Sequence, residues 1–182
     1  QDRRVGLGHC RLAVIDLSER GQQPMLDSSG QYILVYNGEI YNYLELRAEL
    51  QKSGVIFKSQ SDSEVLLEAY KKWGEDCLKH FNGMFAFAIY DRQQELLFCG
   101  RDHYGEKPFL FAASEDFFVF ASEYKALLHL KEISCDYDEF QLLRFSERES
   151  CGLDNRRQTI FRQIQELLPA EKLILDIRSL QY

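Results

Sequence analysis

Arg11, the run Asn37-Gly38-Glu39, and Asp62 are polar groups whose types and spacing could do chemistry. An asparagine side-chain amide beside a glycine backbone N–H offers two donors to one point in space. Such a pair can stabilise an oxyanion developing on an amide carbonyl. Glycine lets backbone approach a bound molecule with no Cβ in the way. Arg11 can clamp a carboxylate through two parallel hydrogen bonds, and Asp62 and Glu39 can receive an ammonium group. An amino acid with a side-chain amide would engage both halves of this set. Each group alone also has a plainer reading. Asn-Gly after a strand is a common turn, a carboxylate in a first helical turn meets the helix dipole favourably, and an arginine beside a strand can be mere surface.

The five cysteines are Cys10, Cys77, Cys99, Cys135 and Cys151. Their number is odd, and no pair has zinc-knuckle spacing, so no metal ligand set emerges. On an alternating strand Cys10 faces away from Arg11, which predicts a buried or half-buried structural thiol. His9, its opposite-facing neighbour, is badly placed to activate it. Cys77 and Cys99 sit in apolar surroundings and read as filler.

The elements that must position these residues can be traced by periodicity. Tyr32 to Tyr36 is an apolar strand ending at an Asn37-Gly38 turn. Asn42 with Glu45, and Ser61 with Glu64, have capping-box spacing ahead of two amphipathic helices, with a change of direction near Gly54 between them. In Met84 to Tyr90, Phe85, Phe87 and Ile89 share one face while Ala86 and Ala88 occupy the other, letting another layer approach closely. A turn at Asp91 to Gln94 leads to a partner strand, Glu95 to Cys99. A second hairpin joins Phe109–Ala112 to Phe117–Phe120, whose consecutive aromatics predict strands covered on both faces. Glu123–Leu130 and Asp138–Phe145 read as short helices, Ser146–Thr159 as an exposed loop, and Lys172–Ile177 as a late strand followed by a tail with no evident partner. Arg101-Asp102 and Lys107-Pro108 bracket a turn through Gly105 that they are expected to support. The sum is antiparallel sheet covered by helix.

The chain has 182 residues, 22 basic and 29 acidic, for a net charge of −7, with 45% hydrophobic and 28% charged residues. This is globular composition, long enough for one full-sized core. No apolar run reaches about 18 residues, so no helical membrane span is expected. The acidic balance without a basic stripe argues against nucleic acid or an anionic membrane as partner. Reduced cysteines and a polar opening, Gln1-Asp2-Arg3-Arg4, predict a cytoplasmic protein whose sequence here starts inside a longer chain.

Several blocks then carry a family resemblance. They are Gly6-Leu7-Gly8-His9-Cys10-Arg11-Leu12-Ala13-Val14-Ile15-Asp16, Gly21-Gln22-Gln23-Pro24-Met25, Asn37-Gly38-Glu39-Ile40-Tyr41-Asn42, Ser61-Asp62-Ser63-Glu64 and Gly83-Met84-Phe85-Ala86-Phe87. Arg101-Asp102-His103-Tyr104-Gly105-Glu106-Lys107-Pro108 and Ala121-Ser122-Glu123-Tyr124-Lys125-Ala126-Leu127 complete the set. In this order the text resembles the class II glutamine amidotransferase domain of glutamine-hydrolysing asparagine synthetases, over residues 5–130 and more weakly through Leu168-Pro169.

The resemblance implies an α+β, four-layer α/β/β/α N-terminal-nucleophile hydrolase fold with two stacked antiparallel sheets. It implies one such domain over residues 1–182, lacking its nucleophile segment and ending before a C-terminal ATP-dependent synthetase domain of the same polypeptide. By the same resemblance Arg11 meets the α-carboxylate of L-glutamine, with Leu12, Ala13, Val14 and Ile15 shaping the pocket by backbone contacts. Asn37 and Gly38 resemble the oxyanion hole, and Glu39 and Asp62 the glutamine-binding carboxylates. The family nucleophile is a cysteine at the mature N-terminus, whose α-amine, with a pKa near 7.7–8.0, serves as base. Position 1 here is glutamine, so several tens of residues are expected to precede it, and this fragment alone is expected to be inactive. No cofactor is implied in this domain. ATP and Mg²⁺ belong to the synthetase domain, which would convert L-aspartate, ATP and L-glutamine to L-asparagine, AMP, diphosphate and L-glutamate. A homodimer is compatible with this reading. The alternatives are a non-catalytic domain that stabilises or docks a synthetase, and amidation of an acceptor other than aspartate.

Overall fold

The computed structural model describes residues 5–10, 21–146 and 157–182. Arg11 to Ile15, Cys151 and most of the loop expected before Thr159 lie outside the described residues.

Five strands form one antiparallel sheet in the order β1 (Met25–Leu26), β2 (Tyr32–Ile40), β3 (Gly83–Asp91), β4 (Leu96–Arg101) and β8 (Lys172–Asp176). Three form a second sheet in the order β6 (Phe118–Ala121), β5 (Leu110–Ala113) and β7 (Gln165–Glu166). The alternation along β3 dictates how these layers stack. Phe85, Phe87 and Ile89 enter a core with Leu46 and Leu50 of helix α1 (Tyr43–Lys52) and Val65, Leu66 and Ala69 of helix α2 (Asp62–Trp73). Ala86, Ala88 and Tyr90 face the other way, into a core between the sheets with Phe109, Phe111, Leu173 and Leu175. The small alanines leave room for the second sheet's phenylalanines. Beyond that sheet, Leu110 and Ala112 pack with Leu127 of helix α3 (Tyr124–Leu128), Ile133, Phe161 and Ile164. The result is the expected α/β/β/α stack, to which helix α4 (Glu139–Ser146) is appended.

The structure corrects several local expectations. Asn37-Gly38 is no turn: β2 runs on to Ile40, with Gly38 opposite Phe85 and Ile40 opposite Gly83. The two glycines serve close approach of the strands instead. A Cβ on Gly38 would stand 2.2 Å from the Met84 carbonyl oxygen, and one on Gly83 2.1 Å from that of Glu39. The first capping box does not form, because the Asn42 side chain is drawn elsewhere. It donates to the His80 carbonyl at 2.9 Å and accepts from the Asn82 N–H at 3.0 Å, tying the start of α1 to the entry into β3.

The second box forms by half. Ser61 Oγ accepts the Glu64 N–H at 3.2 Å, while the Glu64 carboxylate reaches back to the N–H groups of Lys58 and Ser59 at 2.8 and 2.7 Å. β6 is only half-buried, as an edge strand, whereas Leu110, Phe111 and Ala112 of β5 are covered. The C-terminal tail does have partners: Leu180 N–H bonds the Asp176 carbonyl, and Tyr182 packs its ring against Phe111 and Phe118. No helix among the described residues is long and apolar enough to cross a membrane.

Candidate active site

The site grows from the outer edge of β2. In an antiparallel ladder, successive residues point their N–H and C=O to opposite sides. Phe85 of β3 gives its N–H to Asp102 Oδ2 at 3.1 Å and accepts the Asp102 N–H at 2.8 Å, so its polar groups face β4. Its partner Gly38 therefore turns its own N–H and C=O away from β3, to the outer edge. Leu34, Tyr36 and Ile40 share that direction, and each is met there. Leu34 lies opposite Met25 of β1. The Tyr36 N–H donates to Gln23 Oε1 at 2.6 Å, and its carbonyl accepts from Gln23 Nε2 and His9 Nε2, both at 3.0 Å. The Ile40 N–H donates to Asp62 Oδ2 at 3.1 Å. Between them the Gly38 N–H has no partner among the described residues.

This open donor borders a cavity of about 830 Å³ at one end of the space between the sheets. Its walls include His9, Cys10, Gln23, Asn37, Glu39 and Asp62. The side chains of Val35, Asn37 and Glu39 leave β2 on the inter-sheet side, opposite to Tyr36. The Asn37 amide reaches Ser122 Oγ just past β6, at 3.4 Å. Asp62, at the first position of α2, is only 5% exposed. Its Oδ2 accepts both the Ile40 N–H and the Tyr36 hydroxyl, the latter at 2.7 Å. Burial and the adjoining Asp62 charge push the Tyr36 phenol far above its ordinary pKa, so it remains a proton donor to the carboxylate.

A second wall of the cavity is set by one carboxylate. Asp102 is fully buried and accepts the N–H groups of Phe85, Tyr104, Glu106 and Lys107 at 3.0 to 3.1 Å. Burial by itself would raise its pKa, but these four donors hold it below the usual carboxylate value. The neighbouring Arg101 donates to the carbonyls of Lys107 and Gly105 at 2.7 Å and to that of Leu167, and pairs with Glu166 at 2.8 Å. The two side chains thus lock the Gly105 turn, as expected, and present Lys107, Pro108 and Phe109 to the cavity.

Asn37, Gly38, Glu39 and Asp62 therefore share one cavity. Arg11, Leu12, Ala13, Val14 and Ile15 lie outside the described residues, although Cys10, directly before them, lines the same space. Cys10 itself is exposed, contrary to expectation. Residues 5–10 form no strand ladder; Val5 and Leu7 lean on the inter-sheet core, while Gly6, Gly8 and Cys10 are exposed, the last two at the cavity wall. Cys77 and Cys99 are buried filler, with burial raising both thiol pKa values, Cys77 to about 12. Tyr36, Gln23, His9 and Ser122 were not among the site residues expected from the sequence. The parity of β2 was the available signal for Tyr36, which has to share a side with Gly38. Among the described residues, no group of three or more His, Cys, Asp or Glu side chains could hold a metal.

Comparison with known proteins bears on the family and the fold. The family model described as glutamine amidotransferase domain matches residues 1–181. Asparagine synthetase (glutamine-hydrolysing) 3 of Bacillus subtilis is 43% identical over 175 residues, covering 94% of this chain and 28% of that protein. Asparagine synthetase (glutamine-hydrolysing) 1 of the same organism is 42% identical over 127 residues, covering 70% of this chain and 20% of that protein. The chain thus spans between a fifth and little more than a quarter of the length of these relatives. Among solved structures, the glutamine phosphoribosylpyrophosphate amidotransferase of B. subtilis superposes with a TM-score of 0.65 at 21% identity, over 95% of this chain and 33% of that one. That likeness bears on the fold, and it agrees with the two-sheet stack. With a cavity built from the blocks that first suggested it, the chain belongs to the glutamine amidotransferase domain family.

Proposed function

We propose that the cavity binds L-glutamine and hydrolyses its side-chain amide, supplying ammonia to a synthetase domain of the same polypeptide. The observation that carries this reading is the Gly38 N–H on the edge of β2, without a partner among the described residues, in a cavity that Asn37 and Asp62 also line. Asn37 and Gly38 would donate to the amide oxygen as it becomes an oxyanion. Fixed donors in a site sheltered from water are worth most at that step. Glu39 and Asp62 would receive the α-ammonium, and Arg11 the α-carboxylate, with Leu12, Ala13, Val14 and Ile15 completing that end of the pocket. An N-terminal cysteine would attack the carbonyl carbon, its own α-amine taking the thiol proton and returning it to the departing ammonia. A glutamyl thioester remains, which water cleaves to glutamate.

The names of the relatives support aspartate as the acceptor of that ammonia, after activation with ATP and Mg²⁺ by the synthetase part. No residue described here is assigned to those groups. A cytoplasmic location and a homodimer remain part of the proposal. The test uses the full-length protein with glutamine labelled with ¹⁵N in the side-chain amide. Saturable release of labelled ammonium, with glutamate formed in equal amount, is expected. A protein that binds glutamine without releasing label would be a non-catalytic domain, and the proposal would be wrong.

A further inference from the structure

We infer that Tyr36 is a positioning residue, fixing the orientation of the Asp62 carboxylate so that one of its oxygens is turned to the amino group of the bound substrate. This rests on the reading of the cavity as a glutamine site. Two donors converge on one oxygen of Asp62: the Tyr36 hydroxyl at 2.7 Å and the Ile40 N–H at 3.1 Å, both on Oδ2. Oδ1 has no hydrogen-bond partner among the described residues, and Asp62 lines the cavity. Turning the carboxylate away from this orientation would break both bonds together, so the buried side chain is held with its other oxygen left for a ligand. A carboxylate so buried is stable only when its remaining lone pairs are met, and an ammonium group is the matching partner.

Tyr36 is suited to this by how firmly it is itself held. The residue is 4% exposed, in the core beneath α2, and Gln23 grips its backbone N–H and C=O. The phenol therefore has little freedom to follow a moving carboxylate. Phenylalanine would fill the same space and remove only the donor.

The discriminating probe is glutaramate, which is glutamine without its α-amino group. In the full-length protein, Tyr36→Phe is expected to raise KM for L-glutamine about 10- to 100-fold, the range for a hydrogen bond to a buried charge. It should leave kcat within about twofold and the inhibition constant of glutaramate within about twofold. Asp62→Asn should show the same selectivity, and Tyr36→Phe should add little to it. Equal losses for glutamine and glutaramate would mean that Tyr36 only supports the fold, and no loss for either would mean that it does nothing for Asp62. Both results overturn the inference. As a second variant, 3-fluorotyrosine at position 36 keeps the ring and changes the donor's strength. An unchanged ratio of glutamine KM to glutaramate inhibition constant in that protein would also overturn the inference. If the unaltered protein releases no ammonia from glutamine and binds glutaramate as well as glutamine, the site assignment itself is wrong and this inference falls with it.

Discussion

Gly38 has no space for a side chain, because a Cβ there would sit 2.2 Å from the Met84 oxygen and 2.7 Å from the Phe85 Cα. Backbone atoms cannot swing aside as a flexible side chain would, so Gly38→Ala must part β2 from β3. The expected result is a loss of about 1–3 kcal/mol of stability, as for other overpacked sites, read from the urea midpoint, together with loss of ammonia release. Asp102 gives a second test at this scale. Its pKa lies below the ordinary 3.8 in the folded protein. Its stabilising contribution is therefore complete above the unfolded value and fades as pH falls through the lower folded one. Asp102→Asn cannot titrate, so urea unfolding should show a large stability gap to the wild type at pH 7 that narrows below about pH 4. A gap independent of pH would contradict the role given to the four backbone donors. Asn37, Gly38, Glu39 and Asp62 were singled out as candidates by their combination of donors and acceptors and by the family resemblance, and the structure brings them to one cavity. Tyr36, Gln23 and His9 were not, because their roles depend on the side of β2 to which each peptide group points, and that is set by pairing with β3.

Helix α2 carries the site at the scale of an element. It begins at Asp62, so whatever fixes its first turn also fixes the carboxylate. Ser61 caps that turn through its bond from the Glu64 N–H. Ser61→Ala should cost about 1 kcal/mol of stability, measured by denaturant unfolding. It should also raise KM for glutamine, because the first turn frays. An unchanged KM would detach the cap from the site. The same residues mark where reading by element succeeds and fails. The apolar spacing from Val65 to Trp73 identified α2, and the Phe/Ala alternation of β3 identified both of its faces. The Asn42–Glu45 pair had equally good spacing, yet the Asn42 side chain bridges His80 and Asn82, contacts separated by some forty residues that local pattern cannot register. Asn-Gly likewise signals a turn until a partner strand with its own glycine, Gly83, makes continued pairing the better use of both backbones.

The whole molecule depends on how closely two sheets approach. Ala88 is fully buried where β3 faces the second sheet, and it also borders the cavity. Ala88→Leu should cost about 1–3 kcal/mol through overpacking, seen as a lower melting temperature. It should also weaken glutamine binding by shifting the sheets apart at the site. Retained affinity in the destabilised protein would mean that the cavity does not depend on that spacing. The face each β3 residue takes was legible from alternation, whereas the four-layer stack with two sheets followed from the family resemblance, because periodicity does not set the number of sheets or the order of their strands. The cavity was not legible, because it forms only where chain segments distant in sequence close around the end of the sheets.

The kinetics of Asn37→Ala test the central claim most directly, since this variant removes one proposed oxyanion donor and leaves the others in place. In the full-length protein, kcat and kcat/KM for glutamine hydrolysis should fall together by about 10²–10³-fold, with KM nearly unchanged. A rise in KM at constant kcat would show that Asn37 only holds the substrate, and would contradict the oxyanion site at the edge of β2.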